Sequence, residues 1–377
     1  MSNRSKQARR RPATPARPSP LGANAAAPTA RDLPRIRARI LEWAEDRSRF
    51  GATEWLRKIS AAIATASSDE EHGEPFGADT ADKWARVLRT GELFYVAEAL
   101  STLTRHAAES LTGYNLHPED VPAETGVMFY ADPLRDTGAP DPEGAPISLV
   151  TWGPMGNSIV IEFWSPTSYR DTTPGRPIGF LIPGMAKALH ENRHRLPKHA
   201  LPPHPLPLHG FLYQRSVAIP FGGPVDVDHV TDRKVREHEC SGEGCQTCIY
   251  ARLARDTARL QKLIVATWLL MGQPITLTTP VAPKPFGAGK RNQRPEPLED
   301  TVRYVELRAV KRPPAEQTGE ENTPGRVYRH SWVVRGHWRR QWYPSRGEHR
   351  PLWIAPYLAG PEDAPLIGGE RVNVLRR

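Results

Sequence analysis

The sequence predicts an α+β protein: an N-terminal helical region, a central and mainly antiparallel sheet, one long core helix, and a C-terminal Arg- and Trp-rich β-hairpin. Three observations carry this expectation. Apolar residues recur at three- and four-residue steps before residue 113; short alternating runs rich in β-branched and aromatic residues follow; and residues 249–271 return to a helical period. With 377 residues the chain is long enough for at least one full core and for a second. Its 38% hydrophobic and 25% charged residues suit a globular protein and exclude disorder as a description of the whole. Thirty-nine prolines predict long irregular connections.

Residues 1–31 read as a disordered basic tail, because residues 1–30 hold six Lys or Arg, no acid, and a run of Pro, Ala and Ser. Such a tail serves either as a solubilising extension or as a contact to RNA or ribosome. Residues 32–113 read as the helical region. Leu33, Ile36, Ile40 and Trp43 form one stripe, and Leu56, Ile59 and Ile63 repeat it after Gly51. A third helical segment is expected from Asp79 to Leu111, carrying Trp84, Leu88, Phe94, Val96, Leu100 and Leu103, with Gly91 as a break or kink.

Residues 114–279 read as mixed sheet and helix. "GVMFYAD", "ISLVTW", "SIVIEFW", "IGFLIPG" and "LYQRSVAIP" are strand-like, separated by Pro-, Gly- and Asp-rich turns. No regular helix separates the first four as a parallel crossover requires, so an antiparallel arrangement is expected. The helix at 249–271 places Leu253, Thr257, Leu260, Ile264 and Trp268 on one face, and "GQP" at 272–274 stops it. Residues 280–300 read as a proline-rich linker, and residues 301–377 as C-terminal strands, including "TVRYVELRAV", and the hairpin.

The formal charge of +9 favours anionic partners, with RNA, DNA and the ribosome ahead of membranes. No apolar run approaches the roughly 20 residues of a bilayer span, and "MSNRSKQARRRPATPARPSP" lacks the apolar segment of a secretory signal, so a cytoplasmic protein is expected. Phosphate-cradling glycine loops, nucleophile elbows and zinc-protease signatures do not occur, and no nucleotide cofactor is implied. The three cysteines are different. His238, Cys240, Cys245 and Cys248 lie together in "HECSGEGCQTC", with the last two in C-x2-C spacing, which suits either a structural zinc ion or unpaired reduced thiols at a helix start. His190 and His194 stand at helical i, i+4 spacing, but the pattern fixes no third ligand, so they read as solvated loop histidines without a role.

The C-terminal run "VYRHSWVVRGHWRRQWYPSRGEHRPLWIAPY" gathers Trp332, Trp338, Trp342 and Trp353 among many arginines. Alternation from Val327 to Val334 predicts a half-buried strand, Gly336 a bulge, "PSRGEH" a turn, and "PLWIAPY" an edge strand. If the strand stays regular past the glycine, His337, Arg339 and Gln341 oppose Trp338, Arg340 and Trp342. Guanidinium groups grip phosphate and indoles stack on unpaired bases, so Arg335, His337, Trp338, Arg339, Arg340 and Trp342 are the expected nucleic-acid-binding set. The competing expectation is that the tryptophans, Trp332 and Trp353 above all, are core, with the arginines lying over them.

"RGHW", followed by Trp342, Trp353 and Pro356, resembles the C-terminal signature of the anti-CRISPR VA-two-like family, whose members are encoded on phages, plasmids and related mobile elements. "LIVATWLLMGQPITL" at 263–277 is a second point of likeness. The founding type of that family looks like a factor that recognises the nascent N-terminal peptide of a type V CRISPR effector during translation and causes loss of its mRNA. The resemblance therefore implies a regulatory binding protein acting on a nascent polypeptide and translating ribosome, with a target of its own, and it marks Arg335, Gly336, His337 and Trp338 as a functional motif. Two other classes stand beside this one. The chain could be an RNA-cleaving enzyme with His337 as general acid or base and Arg335 or Arg339 stabilising the phosphorane, or a zinc-stabilised DNA-binding regulator.

Overall fold

A computed structural model of the chain describes residues 28–57, 78–135, 146–166, 210–225, 246–283, 301–308 and 330–360. Helices α1 (Leu33–Glu45), α2 (Ala78–Thr90), α3 (Glu98–Ser110) and α4 (Gln246–Met271), with a helical run at 52–57, enclose a seven-stranded sheet. Its strands are β1 (Glu92–Val96), β2 (Gly126–Arg135), β3 (Pro146–Met155), β4 (Ser158–Pro166), β5 (Phe211–Pro220), β6 (Thr276–Val281) and β7 (Val302–Leu307), in the order β5-β4-β3-β2-β1-β7-β6. The protein is thus a mixture of helix and sheet built around one large mixed sheet.

The sheet is antiparallel at β2/β3, β3/β4, β4/β5 and β6/β7, but β1 runs parallel to both of its neighbours, β2 and β7. This corrects the expectation of a helical segment from Asp79 to Leu111 with a break or kink at Gly91, since a strand stands between two helices. Gly91 is the tight junction between α2 and the interior strand β1; a Cβ there would meet the Val87 carbonyl at 2.6 Å and the Gly126 backbone at 3.2 Å. From β1 the chain crosses through α3 to β2 in a parallel crossover that precedes the runs expected to be antiparallel.

Leu93 and Tyr95 face one layer of core and Phe94 and Val96 the other, and Val127, Phe129 and Met128, Tyr130 divide in the same way. A strand buried on both faces loses its polar alternation, so "LFYV" reads as any apolar run. On the first face α1, the 52–57 run and α2 supply Ile36, Ile40, Trp55, Trp84 and Leu88. On the second, α3 and α4 supply Leu100, Ala107, Leu260, Ile264 and Trp268. Each large apolar side chain so buried contributes about 1.5–3 kcal/mol before entropy is counted.

Three hydroxyl groups inside this second layer are linked to one another. Tyr130 Oη donates to Thr267 Oγ1 at 3.0 Å, Thr267 donates to the Leu263 carbonyl at 2.9 Å, and Thr104 Oγ1 lies 3.3 Å from Thr267 Oγ1. Helix α4 ends where "GQP" was expected to stop it, and the Thr276 hydroxyl stands 3.0 Å from the Leu270 carbonyl, capping the last turn. The strand expected at "IGFLIPG" lies outside the described residues. Among the described residues no helix is long and apolar enough to cross a membrane.

Candidate nucleic-acid interface

Beyond the sheet, the C-terminal run folds as two small ladders. Strand β8 (Trp332–Val334) pairs antiparallel with β11 (Tyr357–Ala359), and β9 (His337–Tyr343) pairs antiparallel with β10 (Glu348–Ile354) across the turn at 344–347. Gly336 is therefore not a bulge inside one strand; it lies where the chain leaves one ladder for the other. Its glycine identity has a contact reason. A Cβ there would stand 2.5 Å from the Trp353 ring and 3.2 Å from Pro356.

A tryptophan pair and five hydrogen bonds fix the inner side of this module to the body. Trp353 is buried and meets Trp338 edge-on at 5.2 Å between centroids. Trp338 Nε1 donates to the Ala107 carbonyl of α3 at 2.8 Å. Gln273, just past α4, uses both ends of its amide: Nε2 donates to the Pro351 carbonyl and Oε1 accepts from the Trp353 amide, each at 3.3 Å. Arg350 donates to Asp120 and Glu119 at 2.5 Å.

Asp120 has a fully enclosed carboxylate, which also accepts from Tyr114 Oη at 2.6 Å and from the His117 amide at 2.8 Å. Burial and this bond push the Tyr114 hydroxyl pKa well up, so the phenol stays a donor at any physiological pH. For Arg350, burial works against the charge, but the Asp120 carboxylate and the Glu119 bond outweigh it and raise the pKa.

The charge lies at uncovered positions on both faces of the β9/β10 ladder. Arg335, Arg339 and Arg340 are exposed, and Trp342 is 46% exposed. Arg339 Nη2 donates to Gln341 Oε1 at 2.7 Å, and Gln341 Nε2 donates to the Trp342 carbonyl at 3.0 Å. His337 is half-buried, with Nδ1 3.0 Å from the Arg335 carbonyl. The structure thus exposes Arg335, Arg339, Arg340 and Trp342 of the expected set, leaves His337 half-buried, and turns Trp338 inward. Trp338, expected as a base-stacking residue, is half-buried with its ring packed on Trp353 and the α3 core, the position of an anchor. Trp353 is core, as one of the two expectations held, while Trp332 is half-buried.

The sequence reading missed His349, Gln273, Asp120 and Tyr114. A signal for His349 was present: a turn at 344–347 pairs Tyr343 with Glu348 and so brings His349 opposite Trp342. Their rings lie 4.9 Å apart.

A second perturbed group was missed altogether. Glu162 is the lone acid in "SIVIEFW", and on β4 it projects among the aromatic rings of the first core layer. It accepts from Trp84 Nε1 and, at 2.7 Å, from Thr151 Oγ1, while Trp164 Nε1 donates to Thr151 Oγ1 at 3.1 Å. Burial pushes the Glu162 carboxyl up to about 7, against the pull of those donors and of Lys83.

His238, Cys240 and Cys245 lie outside the described residues, as do His190 and His194; Cys248 falls in the first turn of α4, with its side chain undescribed. Among the described residues no group of three or more His, Cys, Asp or Glu is placed to hold a metal ion. Comparison of the chain with family models and with curated proteins found no match in either.

Proposed function

We propose that this chain is a regulatory binding protein of anti-CRISPR-like type, from a mobile element, that engages RNA at the translating ribosome through the uncovered surface of its C-terminal module. In this reading it recognises a nascent polypeptide and lowers the mRNA that encodes it. The observation that carries the RNA contact is the division of the β9/β10 hairpin. Trp338, Trp353, Arg350 and Gln273 hold it in place from within, so Arg335, Arg339, Arg340 and Trp342 project from an already rigid element. Arg340 has no hydrogen-bond or ion-pair partner among the described residues, which leaves its charge for a phosphate. The nascent-chain part rests on the "RGHW" and "LIVATWLLMGQPITL" resemblance.

The test is cosedimentation of full-length protein with ribosomes translating an mRNA that the protein depletes, using wild type and the triple variant R335A/R339A/R340A. The variant is expected to remain folded and to lose RNA affinity, with the slope of log affinity against log salt shallower by about 2, as three lost phosphate contacts to a single strand require. Unchanged RNA association in the folded variant rejects the proposal. RNA cleavage by purified wild type, abolished in His337→Ala, points instead to the enzyme reading.

A further inference from the structure

We propose that Trp342 and His349 form a stacking shelf for unpaired bases, so that single-stranded RNA, not duplex, is the polyanion that this surface takes; this rests on the RNA-binding reading above. Trp342 sits at the far end of the hairpin from the Trp338–Trp353 anchor, on the same strand face, two steps beyond Arg340. At the anchored end that face is covered by α3 and the core, and at the far end it is open. The Trp342 ring is left 46% exposed on a strand otherwise fastened at several points, so part of its face is open to a ligand.

Directly across the ladder, the exposed His349 ring lies 4.9 Å from the Trp342 ring at 55°. The tilt leaves two aromatic surfaces at an angle, a cleft edge on which the flat face of one base can lie. One strand repeat, about 6.7 Å, separates Trp342 from Arg340, so a base on the indole brings its backbone phosphate within reach of the guanidinium. The neighbouring acid is already occupied: Glu348 lies 3.4 Å from Arg350 and 4.0 Å from Arg346. A duplex hides its base faces inside the stack and gains nothing from the shelf.

The test measures affinity of the full-length protein for oligo(A) and oligo(U) of about a dozen nucleotides, for a duplex RNA of equal length, and for heparin, a polyanion without bases. Trp342→Ala is expected to weaken both single strands roughly 5- to 100-fold, to leave their salt slope unchanged, and to leave heparin binding alone. Trp342→Phe, which keeps a ring, retains most of the affinity. Arg339→Ala with Arg340→Ala lowers heparin and RNA binding together and flattens the salt slope by about 1.4. If Trp342→Ala binds the single strands as wild type does, or weakens duplex and heparin equally, the shelf is refuted, while a loss in the arginine variant keeps the RNA reading intact. If wild type binds none of these polyanions, both readings fall.

Discussion

Tryptophan is concentrated twice in this molecule, and the two concentrations have opposite organisations. Against the first face of the sheet, Trp43 stacks on Trp84 at 5.8 Å, Trp55 meets Trp43 at 5.7 Å, and Trp84 contacts Trp164 at 5.1 Å and Tyr213 at 5.0 Å. These rings come from α1, the 52–57 run, α2, β4 and β5, and they close on one another. In the C-terminal module the rings come from one hairpin, where alternation sends Trp338 with its partner Trp353 inward and lets Trp342 emerge past the covered region. Rings contributed by distant elements are there to join those elements. Rings repeated along a single ladder include positions that the body does not cover.

The contrast is broken most directly by truncating one ring in each region. Trp84→Ala removes a fully buried indole and one of the two donors to Glu162, and is expected to cost about 3–5 kcal/mol in urea unfolding. Trp342→Ala is expected to stay within about 0.5 kcal/mol of wild type. Equal costs for the two would show that the hairpin ring is as structural as the cluster.

A middle-sized effect is expected at the anchor. Asp120→Asn leaves a group able to accept from Tyr114 but removes the charge opposite Arg350, which is itself largely buried at 15% side-chain exposure. About 2–3 kcal/mol is expected to be lost. Because the contact ties one module to the rest, hydrogen exchange should accelerate in β9 and β10 while β1–β4 amides keep their protection. Uniform acceleration across the sheet would mean that the hairpin is not a separately docked piece. Gly336→Ala acts on the same docking from the other side of Trp353. The added Cβ forces the indole or the chain to shift, at a cost of about 1–3 kcal/mol, and it should lower RNA affinity by displacing Arg335 and β9 together.

The sequence made β3, β4 and β5 legible because each is a β-branched and aromatic run bounded by Pro-, Gly- or Asp-rich turns. It concealed β1, whose two apolar faces erase the period-two signal, and with it the parallel centre of the sheet. Within the hairpin, alternation separated Arg339 from Arg340 and Trp342, but which tryptophan is inward depends on where the strand leaves the body, a long-range fact. Gln273 illustrates the same limit. "GQP" was read as a helix stop, yet its amide pairs with the backbone of β10, joining the two stretches on which the family resemblance rests. That link crosses about 80 residues of chain and has no local signature.

A modest effect tests the closed region through the carboxyl group it encloses. Glu162 has its pKa raised from 4.5 to about 7 in the folded protein, chiefly because burial disfavours the carboxylate. Below the lower value both folded and unfolded chains hold the proton, and no penalty exists. As pH rises from 4.5 towards 7 the unfolded chain releases it while the folded chain does not, so stability present in acid is lost across that window and levels off above it. Glu162→Gln has no proton to release and keeps a carbonyl for Trp84 and an amide to donate to Thr151, so its own stability should be flatter over the same range. The variant's stability relative to wild type should therefore grow by about 1 kcal/mol between acid and neutral pH, discounted because the residue as a whole is only half-buried. A constant difference at all pH values would mean that the carboxyl is solvated among the rings, and that the tryptophan cluster is open where its mutual contacts make it closed.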